Sequence, residues 1–253
     1  MRVRLAALAL MLSVAAACAP DTPPSATTPG APVAANMPAS AVPAGRWRAV
    51  LVAGDDGSPA FDNGVQSLRQ KLRTRGVTDI DILSADAAQV TPDHVASGAN
   101  VVSAIGARSD EGACLVFITS HGTGRGIYLA GHRLLTPAAL EQALVRGCGS
   151  LPTVVVLSAC HSGVFLTPVA RRPNRVIMTA AAADRTSFGC GAGDRYTYYD
   201  QCLLRQFDGA ATWRDLAVAT RSCVETLERR TGVPQSSEPQ TFIGAEVSGL
   251  RLP

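Results

Sequence analysis

Aromatic side chains and net charge are both scarce in this sequence. Phe, Trp and Tyr together make up 5% of it and the formal charge is +3. Arg2 and Arg4 lie in a leader expected to be removed, which would bring the mature chain closer to neutral. Such a surface lacks the basic, ring-studded stripe with which proteins hold nucleic acid, so no nucleic-acid partner is expected. Metal-site spacing is missing as well. Cys114, His121, Cys148 and Cys160 are ligand types, but no Cys-x2-Cys or His-x3-His pattern supports zinc, and neither metal nor cofactor is expected. The glycines of residues 122–126 lack the Lys-Ser/Thr that a phosphate loop needs, and Ile127-Tyr128-Leu129 beyond them reads as a strand. Backbone freedom beside a reactive centre accounts for these glycines better. No Gly-x-Ser-x-Gly frames Ser158 or Ser162, which argues against a serine nucleophile.

What is present begins with an export pattern. Residues 1–18 combine Arg2 and Arg4, an apolar stretch over residues 5–14 and the small residues Ala15-Ala16-Ala17. The stretch is too short and wrongly flanked for an ordinary membrane span. Cys18 follows at once, and Ala-Ala-Ala-Cys here resembles a bacterial lipoprotein signal in which that cysteine is lipidated. Ala19 in place of Asp implies, by the same resemblance, outer-membrane rather than inner-membrane retention. The expectation is an exported lipoprotein of the bacterial periplasm or outer membrane, touching membrane only through this anchor. Residues 19–45, rich in Pro, Ala, Ser and Thr, read as a disordered tether. Residues 46–253 then form one catalytic domain.

Two apolar runs dominate that domain. Thr153-Val154-Val155-Val156-Leu157 reads as a strand buried on both faces, and Ser158-Ala159-Cys160-His161-Ser162-Gly163 follows it. Cys114-Leu115-Val116-Phe117-Ile118-Thr119-Ser120 has the same form and runs into His121-Gly122. The segment between them is helix-like, so the pair reads as a βαβ unit whose strand ends emerge on one side of a sheet. Adjacent strands lie about 4.8 Å apart, which brings thiol and imidazole into one site. Ligands of open α/β sheets bind at that rim. The pattern therefore points to a Cys/His nucleophilic pair, Cys160 attacking and His121 moving the proton.

Further strands are expected over residues 47–53, 80–83, 175–179 and 240–247. Helices are expected after Asp62 or Asn63, from Thr91-Pro92, from Thr136-Pro137 to Gly147, after the irregular residues 184–200 to Phe207, and from Trp213 to Thr231. Leu216, Ala219, Cys223 and Leu227 are the expected buried face of the last. About six strands alternating with helices make a three-layer α/β/α sandwich with a mostly parallel sheet. Seven cysteines in an oxidising compartment leave pairing open: Cys190 and Cys202 flank a loop and could pair, and Cys114 reads as a core residue.

Thr119-Ser120-His121-Gly122 and Leu157-Ser158-Ala159-Cys160-His161-Ser162-Gly163, each ending an apolar strand, resemble the legumain-like cysteine peptidases (peptidase family C13) of the caspase-fold clan. The segment from Thr179 through Ala183-Asp184-Arg185-Thr186-Ser187-Phe188-Gly189-Cys190, followed by Tyr196-Thr197-Tyr198-Tyr199-Asp200, resembles the bacterial branch of that family. The resemblance spans roughly residues 47–250. It implies a caspase-like fold, His121 and Cys160 as the dyad, and a peptide or protein substrate; it leaves the oligomeric state open. It also implies pocket roles for Ser187 and Asp200. The family has an Asn that supports the catalytic His and an Arg that reads the substrate side chain. Near those places stand Ala60 and Asp62, so neither role carries over. With Asp62 and Asp200 both acidic, a basic P1 residue is one reading.

In the implied chemistry Cys160 forms a thioester with the scissile carbonyl, the backbone N–H groups of Gly122 and Cys160 hold the oxyanion, and His121 protonates the leaving amine. Hydrolysis makes an endopeptidase. Aminolysis would make a transpeptidase, and loss of activity would leave a binding module.

Overall fold

The computed structural model describes residues 41–253; the leader, Cys18 and nearly all of the tether lie outside the described residues. In chain order the elements are β1 (Trp47–Ala53), α1 (Pro59–Thr74), β2 (Asp79–Ser84), α2 (Gly98–Gly106), β3 (Ala113–Thr119), β4 (Gly122–Thr123), β5 (Gly126–Leu129), β6 (Arg133–Leu135), α3 (Pro137–Gly147), β7 (Thr153–Ser158), β8 (Arg175–Thr179), α4 (Tyr198–Phe207), α5 (Trp213–Thr231) and β9 (Gln240–Ile243). Six strands form one sheet in the order β2-β1-β3-β7-β8-β9, all neighbours parallel except β8 and β9. β4, β5 and β6 form a small antiparallel sheet between β3 and α3 in the chain.

Period-two alternation divides the core into two layers. Leu115 and Phe117 of β3 and Val154 and Val156 of β7 point to one face, where they join Phe61, Val65 and Leu68 of α1, Leu203 and Phe207 of α4 and Trp213 and Leu216 of α5. Val116, Ile118, Val155 and Leu157 point to the other, where they meet Val101 and Ile105 of α2 and Leu140 and Leu144 of α3. Burial on both faces explains why these strands read as unbroken apolar runs.

Several local expectations are corrected. The cap of α1 is Ser58, whose hydroxyl accepts the Ala60 N–H with Pro59 in the first turn, rather than Asp62 or Asn63. Thr91-Pro92 opens only a 3-10 turn, Pro92–His94; Val95 is extended and bridges Ser84, and α2 starts afresh behind the Ser97 cap. Pairing with the end of β2 outweighs helix propensity there. The buried stripe of α5 is Leu216, Ala217, Thr220, Val224 and Glu228, rotated from the expected one; Glu228 is drawn in because it accepts the Ser237 N–H and the Ser236 hydroxyl. Val42 and Ala44, assigned to the tether, pack on the core, and the Trp47 indole donates to the Val42 carbonyl. The disulfides join Cys114 to Cys148 and Cys202 to Cys223, so Cys190 does not pair with Cys202. Cys160 and Cys190 are free. Neither Cys114 nor Cys148 is therefore a thiolate available to zinc.

Besides Glu228, two charged groups are sealed inside among the described residues. Arg175, 1% exposed at the start of β8, pairs with Glu141 of α3, which also receives Arg172. Breaking a buried pair strands the remaining charge. Glu141→Ala should lower unfolding stability by about 3–5 kcal/mol in denaturant titration. A Glu141→Leu/Arg175→Met double variant should recover most of that loss.

The second is Asp200 in the first turn of α4, 0% exposed. Burial pushes its carboxyl up to about 6, opposed by the neighbouring hydroxyls of Thr119, Ser158 and Thr197, which favour the anion. An unfolded Asp titrates near 3.9. Between about pH 4 and pH 6 the folded chain thus holds a proton that the unfolded chain releases, and stability from this group falls as pH rises across that window. The wild type minus Asp200→Asn difference in unfolding free energy should change by about 3 kcal/mol over it, measured by denaturant titration at each pH.

Candidate active site

Thr119 and Ser158 end β3 and β7 and are register partners. One further bond, the Ser120 N–H to the Ser158 carbonyl at 3.1 Å, continues the ladder before the chains part. His121 and Cys160 each stand two residues beyond the Thr119/Ser158 pair, at the C-terminal rim of adjacent parallel strands. Both are half-buried. The expected meeting of the two residues at one rim is what the strand pairing produces.

Each is held by different means. The imidazole packs edge-on against Phe61 of α1, with ring centres 5.1 Å apart. Its main-chain carbonyl accepts the Tyr128 N–H from β5, which turns the chain after β3 into the small sheet. The sulfur lies against residue 187: the Ser187 N–H donates to Cys160 Sγ at 3.2 Å, and the thiol donates to the Ser187 carbonyl at 3.6 Å. An N–H aimed at sulfur complements negative charge there. Among the described residues no hydrogen bond joins the imidazole to the sulfur.

The turn after the nucleophile explains the small residues around it. His161 adopts the left-handed region, φ 56°, uncommon for a residue with a side chain. Its N–H bonds the Arg185 carbonyl, and its Nδ1 lies 3.0 Å from the Ala183 carbonyl. His161 is thus pinned to the segment leaving β8, next to the nucleophile but pointing elsewhere. Gly163 touches the same segment so closely that a Cβ there would lie 2.5 Å from the Ala183 nitrogen. Gly122 is equally constrained: a Cβ would lie 2.2 Å from the Cys160 carbonyl oxygen. The two strand ends therefore touch through main chain, which brings the backbone of Gly122 beside that of Cys160.

Of the three residues expected to bind substrate, Ser187 is at the sulfur, through its backbone rather than its hydroxyl. Asp62 is turned toward the end of β2, where the Ser84 hydroxyl donates to its Oδ1 at 2.7 Å. Burial raises its proton affinity, as do the nearby Asp86 and Asp56, while the Ser84 bond opposes them. Asp200 presents no accessible surface to a ligand. The acidic pocket drawn from these two carboxylates is corrected accordingly: one faces an edge-strand neighbour and the other is sealed under the rim. Cys190 is a half-buried thiol that burial, and then the neighbouring Cys160 and Asp194, make harder to ionise.

Residues given no role at the site by the sequence also build it. Phe61 shelves the imidazole. Ser58 donates to the Gly191 carbonyl, Asn63 to the Arg195 carbonyl, and the Ser67 and Tyr196 hydroxyls lie 2.9 Å apart. Together they latch residues 191–196 onto the first half of α1. The hydroxyls of Thr119, Ser158 and Thr197 meet under the rim. The one signal for them was the polar residue closing each apolar run.

Comparisons with known proteins address the family and the fold. The model of the Peptidase C13 family matches residues 87–230, more than half of the chain. Among solved structures, the crystal structure of caspase-1 from Spodoptera frugiperda superposes with a TM-score of 0.54 at 15% sequence identity, covering 78% of this chain and 86% of that one, a likeness of fold. No curated protein matches the chain. Match and fold together mean that the chain belongs to the peptidase C13 family, as a cysteine peptidase of caspase-like fold.

Proposed function

We propose that the protein is an endopeptidase in which Cys160 is the nucleophile and His121 the general acid–base, working through a thioester. The observation that carries this reading is the strand pairing: His121 and Cys160 stand two positions beyond the register partners Thr119 and Ser158. The Cys160 thiol yields its proton to His121, and the sulfur, as thiolate, adds to the scissile carbonyl carbon. The resulting oxyanion is held by the N–H groups of Gly122 and Cys160, each such donor contributing about 3 kcal/mol. The C–N bond then breaks, and His121 passes a proton to the departing amine. Water, deprotonated by His121, attacks the thioester and releases the acid and the thiol.

The same reading extends to where the enzyme works. Export as a lipoprotein anchored at Cys18, in the periplasm or on the outer membrane, is supported by the leader pattern and by two disulfides in the domain, which favour an oxidising compartment. The Pro-rich tether would hold the domain off the membrane.

Three results test these statements. Cys160→Ala and His121→Ala should each lower turnover of a cleaved peptide by about 1000-fold or more while leaving the thermal midpoint near that of the wild type. Retained cleavage in either variant removes the dyad. Gly122→Ala, whose methyl would meet the Cys160 carbonyl, should lower kcat by about 10- to 100-fold by shifting the nucleophile. Cys18→Ser should move the protein from the membrane fraction to the soluble fraction, with mass spectrometry of the wild-type N-terminal peptide carrying the lipid; an unlipidated mature N-terminus would overturn the anchor.

A further inference from the structure

The sealed carboxylate of Asp200 has a place in the fold that neither capping nor substrate binding explains. The Thr119 hydroxyl donates to its Oδ2 at 2.7 Å. The main-chain N–H of residue 200, as the capping bond of α4, donates to the Thr197 hydroxyl at 2.9 Å, and that hydroxyl lies 3.1 Å from the hydroxyl of Ser158. From the far side α1 closes in, since a Cβ on Gly64 would lie 2.9 Å from Oδ2. A continuous polar chain therefore runs Thr119–Asp200–Thr197–Ser158, from the last residue of β3 to the last residue of β7.

Strand parity ties this chain to the dyad. Leu115 and Phe117 face α1 and α4, as do Val154 and Val156. Thr119 and Ser158 continue those rows, and His121 and Cys160 are the next positions in them. The rows carry the imidazole onto Phe61 of the same helix layer. Below Thr119 and Ser158 the ladder holds the strands together; above Ser120 the chains part, one into β4 and the other into the left-handed turn at His161. The polar chain thus clasps the two strands at the last level where they run side by side. Residue 200 joins the two ends, meeting Thr119 with its carboxylate and Thr197 with its main-chain N–H.

We propose that Asp200 is a positioning residue of this peptidase: it fixes the spacing of His121 and Cys160 by clasping Thr119 directly and Ser158 through Thr197, and it does not contact substrate. The proposal rests on the dyad reading given above. Asn can replace the carboxylate in this role, because an amide oxygen accepts the Thr119 hydroxyl equally well. Oδ1 meets no partner among the described residues, which leaves the amide nitrogen a position to occupy. The carboxylate's charge is then incidental to the clasp, and its hydrogen-bond geometry is what matters.

The test uses the full chain and a single quenched fluorescent peptide chosen because the wild type cleaves it. Asp200→Ala and Thr119→Val should each lower kcat by about 10- to 100-fold, the range for reacting groups misplaced by about 1 Å. KM should stay within about threefold, and P1 preference across a peptide library should not change. Asp200→Asn should keep kcat within about threefold of the wild type. Unchanged kcat in both Asp200→Ala and Thr119→Val would overturn the proposal. So would an altered KM or P1 preference with kcat retained, which would make Asp200 a substrate-binding group. An Asn variant as impaired as the Ala variant would overturn it too, by making charge the requirement. If Asp200→Ala does not fold, Thr119→Val decides, since it removes one hydroxyl from a strand end and keeps the β-branched shape. Failure of the dyad itself reads out separately, as cleavage that survives Cys160→Ala.

Discussion

Everything at the site depends on the parallel pairing of β3 with β7. Parallel strands keep their ends on one side of a sheet, and a register that matches Thr119 with Ser158 puts the residues two positions on at the same height. A slip of one residue would send every side chain of one strand to the opposite layer, exchanging Phe117 and its row for Ile118 and its row. The apolar partition between the two faces is therefore also what fixes the catalytic geometry. Core and site are specified by the same rows of residues, with a change from apolar to hydroxyl to reactive group along each row.

That continuity sets a problem at the top of the sheet. Strands buried on both faces end among helices, and the last backbone and side-chain polar groups need partners before the chain reaches water. The hydroxyls of Thr119, Ser158 and Thr197 and the carboxylate of Asp200 answer one another in a space where no solvent reaches Asp200. An apolar plug would fill the same volume with less desolvation. It would not hold two strand ends at a defined spacing, because dispersion contacts are non-directional while hydrogen bonds are not.

Much of this was legible before the coordinates. The central strands and the helices at residues 137–147 and 213–231 stood where apolar runs, N-caps and the stops at Gly147 and Gly232 put them, because each of those signals is local. His121 and Cys160 were legible for the same reason: a reactive residue directly after a buried strand can only lie at the rim. What stayed hidden depends on distant partners. Phe61 looked like any core aromatic, and its place under the imidazole follows from how α1 lies on the sheet. Cys202 and Cys223 pair because α4 and α5 pack together, which no spacing along the chain reveals. Asp200 sat in a segment of family-like residues and was assigned to a pocket by resemblance. Its neighbours Gly64, Thr119 and Ser158 come from three separate elements, and only their convergence shows that it is sealed.

The wall opposite the dyad imposes a last constraint. Residues 191–196 are latched to α1 at three points, and a few residues earlier the same segment lays the N–H and carbonyl of Ser187 against the sulfur. Main-chain groups thus stand around Cys160: Gly122 on the His121 side, Ser187 on the other, and the pinned turn at His161 behind. Main-chain groups recognise a peptide by its backbone, through hydrogen bonds common to every residue, and are blind to side-chain identity. In the proposed peptidase, such a wall would align the scissile bond, and discrimination among substrates would fall to side chains further along the rim.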